Sequence, residues 1–248
     1  MNTDMKNREI FSRLITTYPF VIRLDGRSFH TFSSGYKKPF DEILSQFFIK
    51  TAKTLFTDSG FSPDFCYTFS DEISMLIQKP VYDMRVEKLV SVSSAFTASA
   101  FTVFSKSEKP IAFDARVIPL SASQFPAYLA WRQAEAWRNH INGYCQKILI
   151  DDGLSVSEVQ KKLDGLNASA LHELAFEHGI NLSQTPAWQR RGIAVYCGSV
   201  EKERYNSMTR KSSLVKRNIA MIDQDLPLFK TDTGFRWVMS KMNSPQIY

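Results

Sequence analysis

The chain has 248 residues, of which 44% are hydrophobic and 13% aromatic, including 19 phenylalanines. That is enough length and apolar material for one sizeable core with a smaller appended region, and it excludes a disordered chain. A formal charge of +6 favours an anionic partner, nucleic acid ahead of a membrane surface.

Cys66, Cys145 and Cys197 are odd in number and lack metal-ligand spacing. They exclude a disulfide framework and a zinc site, point to a reducing compartment, and read as small buried hydrophobes. The polar start, Met1 to Ile10, carries no signal-peptide stretch, and no apolar run approaches the ~20 residues that span a bilayer. A cytoplasmic protein with no membrane association is expected, an organelle remaining open.

Tyr18 to Leu24 is β-branched and aromatic and reads as a buried strand ending at Asp25-Gly26. After a Gly-, Ser- and Lys-containing stretch, apolar residues recur from Asp41 at Leu44, Phe47, Phe48, Thr51 and Leu55, the spacing of one helix face, until Asp58-Ser59-Gly60. Phe65 to Phe69 and Ile73 to Ile77 are short strands joined by Ser70-Asp71-Glu72, a hairpin with an acidic tip. A second helix is predicted over Asp83 to Phe104, its Ser, Ala and Thr allowing close packing on a sheet, and a fourth strand over Phe113 to Leu120. Helices at Ser123 to Ile150, Ser155 to Leu163 and Ser169 to His178, a strand at Gly192 to Cys197 and a polar, basic tail complete the chain.

The order βαββαβ predicts an α+β fold with a ferredoxin-like, polymerase-palm core on an antiparallel sheet and a mainly helical C-terminal extension. We expect residues 1–135 to form the palm-like catalytic domain and 136–248 a helical and basic region packed on it.

Topology decides which residues meet. In this sheet the end of the first strand and the tip of the hairpin share an edge, so Asp25 and Asp71 converge. Taken singly, Asp25-Gly26 is a turn and Asp71-Glu72 a solvated tip. Jointly they are the carboxylates that two Mg²⁺ ions about 3.5–4 Å apart need for in-line phosphoryl displacement. Mg²⁺ takes few carboxylates, with phosphate oxygens and water completing its shell. The turn Gly26, Arg27, Ser28, Phe29 and His30 suits an anion-binding concavity for a triphosphate. Lys38, Arg85 and Lys88 are candidates to neutralise it, the last two sharing a helix face. Taken singly, each reads more readily as a surface cation, and His30 stays open between a phosphate contact and a packed polar side chain.

The segments RLDGRSFHTF at Arg23–Phe32, Lys38-Pro39, Ser70-Asp-Glu72, FDARV at Phe113–Val117 and WRQA at Trp131–Ala134 resemble the tRNA-His guanylyltransferase family, which includes guanylyltransferase-like 3′–5′ RNA polymerases. The resemblance runs in consistent order over residues 18–198. It implies a palm-like, two-metal enzyme that extends the 5′ end of tRNA. ATP activates a 5′-monophosphate to an adenylylated end, which the 3′-hydroxyl of GTP or another nucleoside triphosphate then attacks. By position, Asp25 and Asp71 match the metal-binding carboxylates, the Gly26 carbonyl a further metal contact, and Glu72 an acidic catalytic neighbour. Asp25 to His30, Ser70 and Asp71 match nucleotide-binding segments, and Lys38, Arg85 and Lys88 match triphosphate contacts. A homotetramer is also implied.

Two departures bear on the subtype. The family's His-Ile-Asn-Asn run would place its His at Trp137, whereas His140-Ile-Asn-Gly143 comes later. A family Lys-Asn-Glu run appears as Leu171-His-Glu173. These favour the guanylyltransferase-like branch, which uses a template to restore truncated 5′ ends, over obligatory guanosine addition to tRNA-His.

For RNA, Trp131-Arg132 and Trp137-Arg138 interleave aromatics and cations on a helix, a pattern shared by stacking surfaces and core helices. Arg190 and Arg191, and the tail residues Lys202, Arg204, Arg210, Lys211, Lys216 and Arg217, are candidates for phosphate contact. A palm-type nucleotide cyclase and a catalytically silent RNA-binding palm module are the competing readings.

Overall fold

The computed structural model describes Met5, residues 7–206 and residues 211–242, and no side chain of residues 204–206, 211 or 213. Six antiparallel strands form one sheet in the order β4-β1-β3-β2-β5-β6. They are β1 (Phe20–Gly26), β2 (Phe65–Phe69), β3 (Glu72–Ile77), β4 (Phe113–Pro119), β5 (Ile193–Asn206) and β6 (Lys211–Asp223). The first four carry the expected ferredoxin-like plan. Strands β2 and β3 are buried at every position, as central strands covered on both faces must be.

The short helix α1 (Phe29–Phe32) follows β1, and α2 (Glu42–Asp58) and α3 (Val86–Ser105) cover one sheet face. Asp41 starts α2 by accepting from the N–H groups of Ile43 and Leu44 at 2.7 and 3.0 Å, which satisfies donors that have no partner inside a helix. Leu89, Ser93, Thr97 and Phe101, one turn apart, form the buried stripe of α3. The two hydroxyls there bond the carbonyls of Leu89 and Ser93, so small polar residues approach the sheet without an unpaired donor. α3 begins later than expected because Tyr82, Asp83 and Met84 have positive φ.

The other face is covered by α4 (Phe125–Asp151) and α8 (Asp232–Met242). α4 enters through Pro126 in its first turn, where the missing N–H costs nothing. It runs along the sheet with Tyr128, Arg132, Ala136 and His140 buried at successive turns. Past the sheet it packs with α5 (Val156–Leu163) and α6 (Ala168–Glu177) in a satellite core around Ile141, Cys145 and Leu171. The short α7 (Ala187–Arg191) leads back into β5. The domain boundary expected after residue 135 therefore falls inside α4, whose unbroken backbone belongs to both parts.

The expected basic tail is instead a β-hairpin followed by α8. β5 pairs with β2 only over Ile193–Tyr196, yet pairs with β6 along its length, from Ala194↔Asp223 to Asn206↔Lys211. The strand expected at Gly192 to Cys197 is the start of β5. Past Cys197 no described side chain of the ribbon is buried, so its sequence lacks the alternation that marks a strand; Glu201 lies opposite Lys216, a favourable cross-strand pairing. In α8, Gly234, Val238 and Met242 are buried at i+4 spacing. The three cysteines are free and buried, as expected. Among the described residues no helix is long and apolar enough to cross a membrane.

A Cβ on Gly234 would sit 2.0 Å from the carbonyl oxygen of Leu228. Gly234→Ala should therefore destabilise the protein by about 1–3 kcal/mol through overpacking, measured as a lower urea midpoint with unchanged slope.

Candidate active site

Strand β1 ends where the β2–β3 hairpin turns. The Gly26 N–H donates to the Asp71 carbonyl at 3.1 Å, and Asp25 faces Glu72 on β3 and Asp114 on β4 in the strand registers. Asp25 and Asp71 thus reach one edge, as the topology requires. The tip closes at Ser70 with φ 50°, and the Ser70 hydroxyl donates to Asp71 Oδ1 at 3.1 Å. Burial pushes the Asp71 carboxyl above its ordinary value, and the nearby Asp25 adds to this against the Ser70 hydroxyl and a backbone N–H.

Past the strand, Arg27 N–H bonds the Ala112 carbonyl at 2.9 Å and the chain reverses through Ser28, with φ 58°. Gly26 has a specific steric role here, since a Cβ would lie 2.1 Å from the Phe29 ring. That ring is buried against Phe32, Phe48, Phe101 and Phe113 with centroids 5.2–5.4 Å away. Phe29 therefore anchors the turn in the core and offers its backbone rather than its side chain to the site.

In front of this edge lies a cleft of about 520 Å³, lined by Gly26, Ser28, Phe29, His30, Lys38, Ser70 and Asp71 among the expected residues. Lys38 donates to the Ser33 hydroxyl at 3.0 Å, and His30 contacts the Thr31 hydroxyl. Sequence reasoning missed Lys37, Asp41, Asn139, Trp188 and Gln189, which line the same cleft. Lys37 carries a readable signal, as a second cation beside Lys38. Asn139 and the α7 residues carry none, because only the packing of α4 and α7 brings them there. Asp41 is committed to capping: despite slight burial, bonds from Leu44, Lys37 and Ile43 hold its carboxyl below the ordinary value.

Arg85 and Lys88 are not in the cleft. β3 runs away from the tip, so α3 begins at the opposite edge, where Arg85 bridges to Ile15 near the start of β1 and pairs with Glu87. Helical spacing put both on one face and said nothing of which edge that face reaches. Arg27 is exposed and not among the cleft residues.

Glu72, expected as an acidic catalytic neighbour, is not among the cleft residues. It is buried, and Arg132 grips it by Nε to Oε1 at 2.9 Å and Nη2 to Oε2 at 2.6 Å. Arg132 is equally buried, so it is no RNA-facing cation; Trp131 beside it is half exposed. Arg138 is exposed and pairs with Glu135. Arg190 donates to the Thr185 carbonyl and Arg191 to the Leu226 carbonyl, each at 2.8 Å, tying α7 to its surroundings. Lys216 and Arg217 are exposed on β6. Lys211 begins that strand, its side chain undescribed, and Arg210 lies outside the described residues. His140 is fully buried, stacked on Trp137 with its Nε2 2.8 Å from the Thr185 hydroxyl. Burial, then Arg190 and His172, push its pKa down to about 4, so the ring is neutral near pH 7.

Oxygen donors from Asp25, Asp71 and the Gly26 backbone, with two carboxylates repelling one another, fit a hard divalent cation. Among the described residues no group of three or more His, Cys, Asp or Glu side chains forms a metal cage, so phosphate and water oxygens would complete the shell.

Comparison with known proteins identifies the family. Residues 2–121 match the family model described as tRNAHis guanylyltransferase, and residues 123–226 match the Thg1 C terminal domain. The tRNA(His) guanylyltransferase of Saccharomyces cerevisiae is 30% identical over 221 residues, covering 82% of this chain and 88% of the yeast protein. The chain belongs to the tRNAHis guanylyltransferase family. The tRNA(His) guanylyltransferase 1 of Arabidopsis thaliana is 30% identical over 213 residues, 80% of this chain, but that stretch spans only 37% of the plant protein. Two solved structures of a bacterial tRNA(His) guanylyltransferase (Thg1)-like protein cover 97% of this chain and 98% of theirs. The complex with GTP has a TM-score of 0.72 at 26% identity, and the complex with ATP 0.77 at 25%. The two family models meet between β4 and α4, ahead of the boundary expected from the sequence.

A carboxyl with a raised folded pKa supports stability below its ordinary value, 3.8 for Asp71, and loses that contribution as the pH rises through the folded value. In metal-free protein at pH 7, Asp71→Asn should therefore melt at a higher temperature than wild type. The gap should close as the pH falls below 3.8, measured by thermal unfolding in chelator.

Proposed function

We propose that this family member is a nucleotidyltransferase that adds nucleotides to the 5′ end of tRNA in the 3′–5′ direction, directed by a template, and so repairs truncated 5′ ends. The observation that carries this reading is the meeting of Asp25 and Asp71 at one edge, joined through the Gly26–Asp71 bond, beside a cleft flanked by Lys37 and Lys38. Family membership supports it, as do the GTP and ATP held by the structurally similar bacterial proteins.

The cleft orients a nucleoside triphosphate. Backbone N–H groups of Ser28, Phe29 and His30, at the start of α1, face phosphate oxygens, and Lys37 and Lys38 offset their charge. Asp25, Asp71 and the Gly26 carbonyl would hold two Mg²⁺ ions, whose charge would stabilise the phosphoryl oxygens. Activation joins the 5′-phosphate to the α-phosphorus of ATP and releases pyrophosphate. The 3′-hydroxyl of the incoming triphosphate then attacks the activated 5′-phosphorus and AMP leaves, so the new end carries a triphosphate. The substrate hydroxyl is the nucleophile, which leaves the protein the tasks of positioning and charge stabilisation. Among the described side chains, exposed Arg138, Lys216 and Arg217 are candidates for RNA phosphates, and Arg210 and Lys211 stay candidates with them. Exposed apolar residues at Ile10, Phe11, Leu14 and Ile15 would suit a subunit contact in the homotetramer we propose.

With 5′-truncated tRNA, labelled nucleoside triphosphates and Mg²⁺, the protein should lengthen the 5′ end. Asp25→Ala and Asp71→Ala should each abolish this while circular dichroism stays native. Retained addition in either variant refutes the assignment; cyclic nucleotide as product, or RNA binding without turnover, refutes the activity.

A further inference from the structure

We propose that Arg132 is a positioning residue for Asp25 and Asp71, acting through Glu72; this rests on the metal-dependent reading above. Glu72 follows Asp71 directly and lies opposite Asp25 in the β1–β3 register. With Asp114 opposite Asp25 on β4, four carboxylates share this edge, and two are already engaged: Asp114 by Arg116 at 3.6 Å, and Glu72. Arg132 takes both oxygens of Glu72, at 2.9 and 2.6 Å, with both side chains under a tenth exposed. The guanidinium of Arg23 stands 4.0 Å away on the Oε2 side.

The arginine is itself held in place. Its guanidinium lies 4.4 Å from the Trp131 ring centroid and 5.4 Å from that of Phe69, so two aromatic rings restrict the plane of the fork. One turn earlier on α4, Tyr128 bonds the Ser74 hydroxyl at 2.7 Å, and that hydroxyl lies 3.4 Å from Glu72 Oε1. The helix thus grips the first residues of β3 at two successive side chains.

Two effects follow. The first is positional: pinning Glu72 fixes the strand one residue beyond Asp71, whose carbonyl must meet the Gly26 N–H. The second is electrostatic: Arg132 compensates Glu72, so a divalent ion is shared by two acids and not disputed by a third. Without Arg132, Glu72 is a buried carboxylate facing Asp25, with only Arg23 near. The Nε of Arg23 is buried with no hydrogen-bond partner, so it makes no fork of its own.

The test uses the full chain carrying Arg132→Met, Arg132→Lys, Glu72→Gln or the Glu72→Gln/Arg132→Met pair, with Asp71→Asn alongside. Mn²⁺ binding is read from the electron paramagnetic resonance of the free ion, nucleotide addition is split into kcat and KM, and folding is checked by circular dichroism. Arg132→Met should shift Mn²⁺ affinity, as the freed Glu72 competes for the ion, and lower kcat by roughly tenfold to a hundredfold, the order found when an outer partner of a metal site is lost. The double variant should be no worse than Arg132→Met, because the two residues act as a unit. Arg132→Lys, which keeps the charge without the fork, should fall between and decides the matter if the Met variant does not fold.

Unchanged Mn²⁺ affinity and kcat in a folded Arg132 variant overturns the inference and leaves a purely structural clamp. It is likewise overturned if Glu72→Gln loses addition while Mn²⁺ binding stays at the wild-type level, which makes Glu72 a direct participant. Wild-type Mn²⁺ binding by Asp71→Asn is a separate failure, that of the underlying metal assignment.

Discussion

One backbone hydrogen bond, from the Gly26 N–H to the Asp71 carbonyl, joins the two halves of the site. It exists because β1 and β3 run antiparallel with Asp25 opposite Glu72. The end of one and the tip of the other must then lie side by side. Everything chemical sits around that junction: the acids on it, the turn into α1 beside it, and the cleft in front. Its backbone is shaped to fit, with Ser28 and Ser70 both at positive φ and Gly26 leaving space for the Phe29 ring.

The burial that stabilises this junction comes from opposite sides of the sheet. On one face the Phe29 ring, set among four other phenylalanines, fixes the outgoing turn. On the other, α4 fixes the hairpin through the Arg132–Glu72 pair. A buried ion pair is a weak source of net stability, because desolvating two charges offsets their attraction, yet breaking it by removing one partner costs about 3–5 kcal/mol. A pair of this kind is better suited to defining one arrangement than to strengthening the fold.

The relatives place this arrangement in a family and leave its specialisation to the differences. His140 is neutral, buried and stacked beneath Trp137, a packed position and not an exposed one. Near it, Trp188 and Gln189 of α7 line one wall of the cleft. The segment from His140 to Gly143 thus runs into the satellite core beside the cleft.

The sequence by itself determined the palm-like order of strands and helices, the meeting of Asp25 with Asp71, and the turn that follows, because alternation, helical spacing and chain order are local properties that the sheet converts directly into position. Tertiary structure decided the rest. Arg85 and Lys88 share a helix face in any reading, but the direction of β3 sends that face to the far edge. Glu72 and Arg132 each look like free charged groups until the path of α4 buries them against one another. Asn139 and Gln189 reach the cleft only through the packing of α4 and α7. The buried start of β5 is legible in the sequence, whereas its continuation and β6 are not, because past Cys197 no described side chain of the pair is buried and backbone pairing that any side chain permits leaves no apolar period to read.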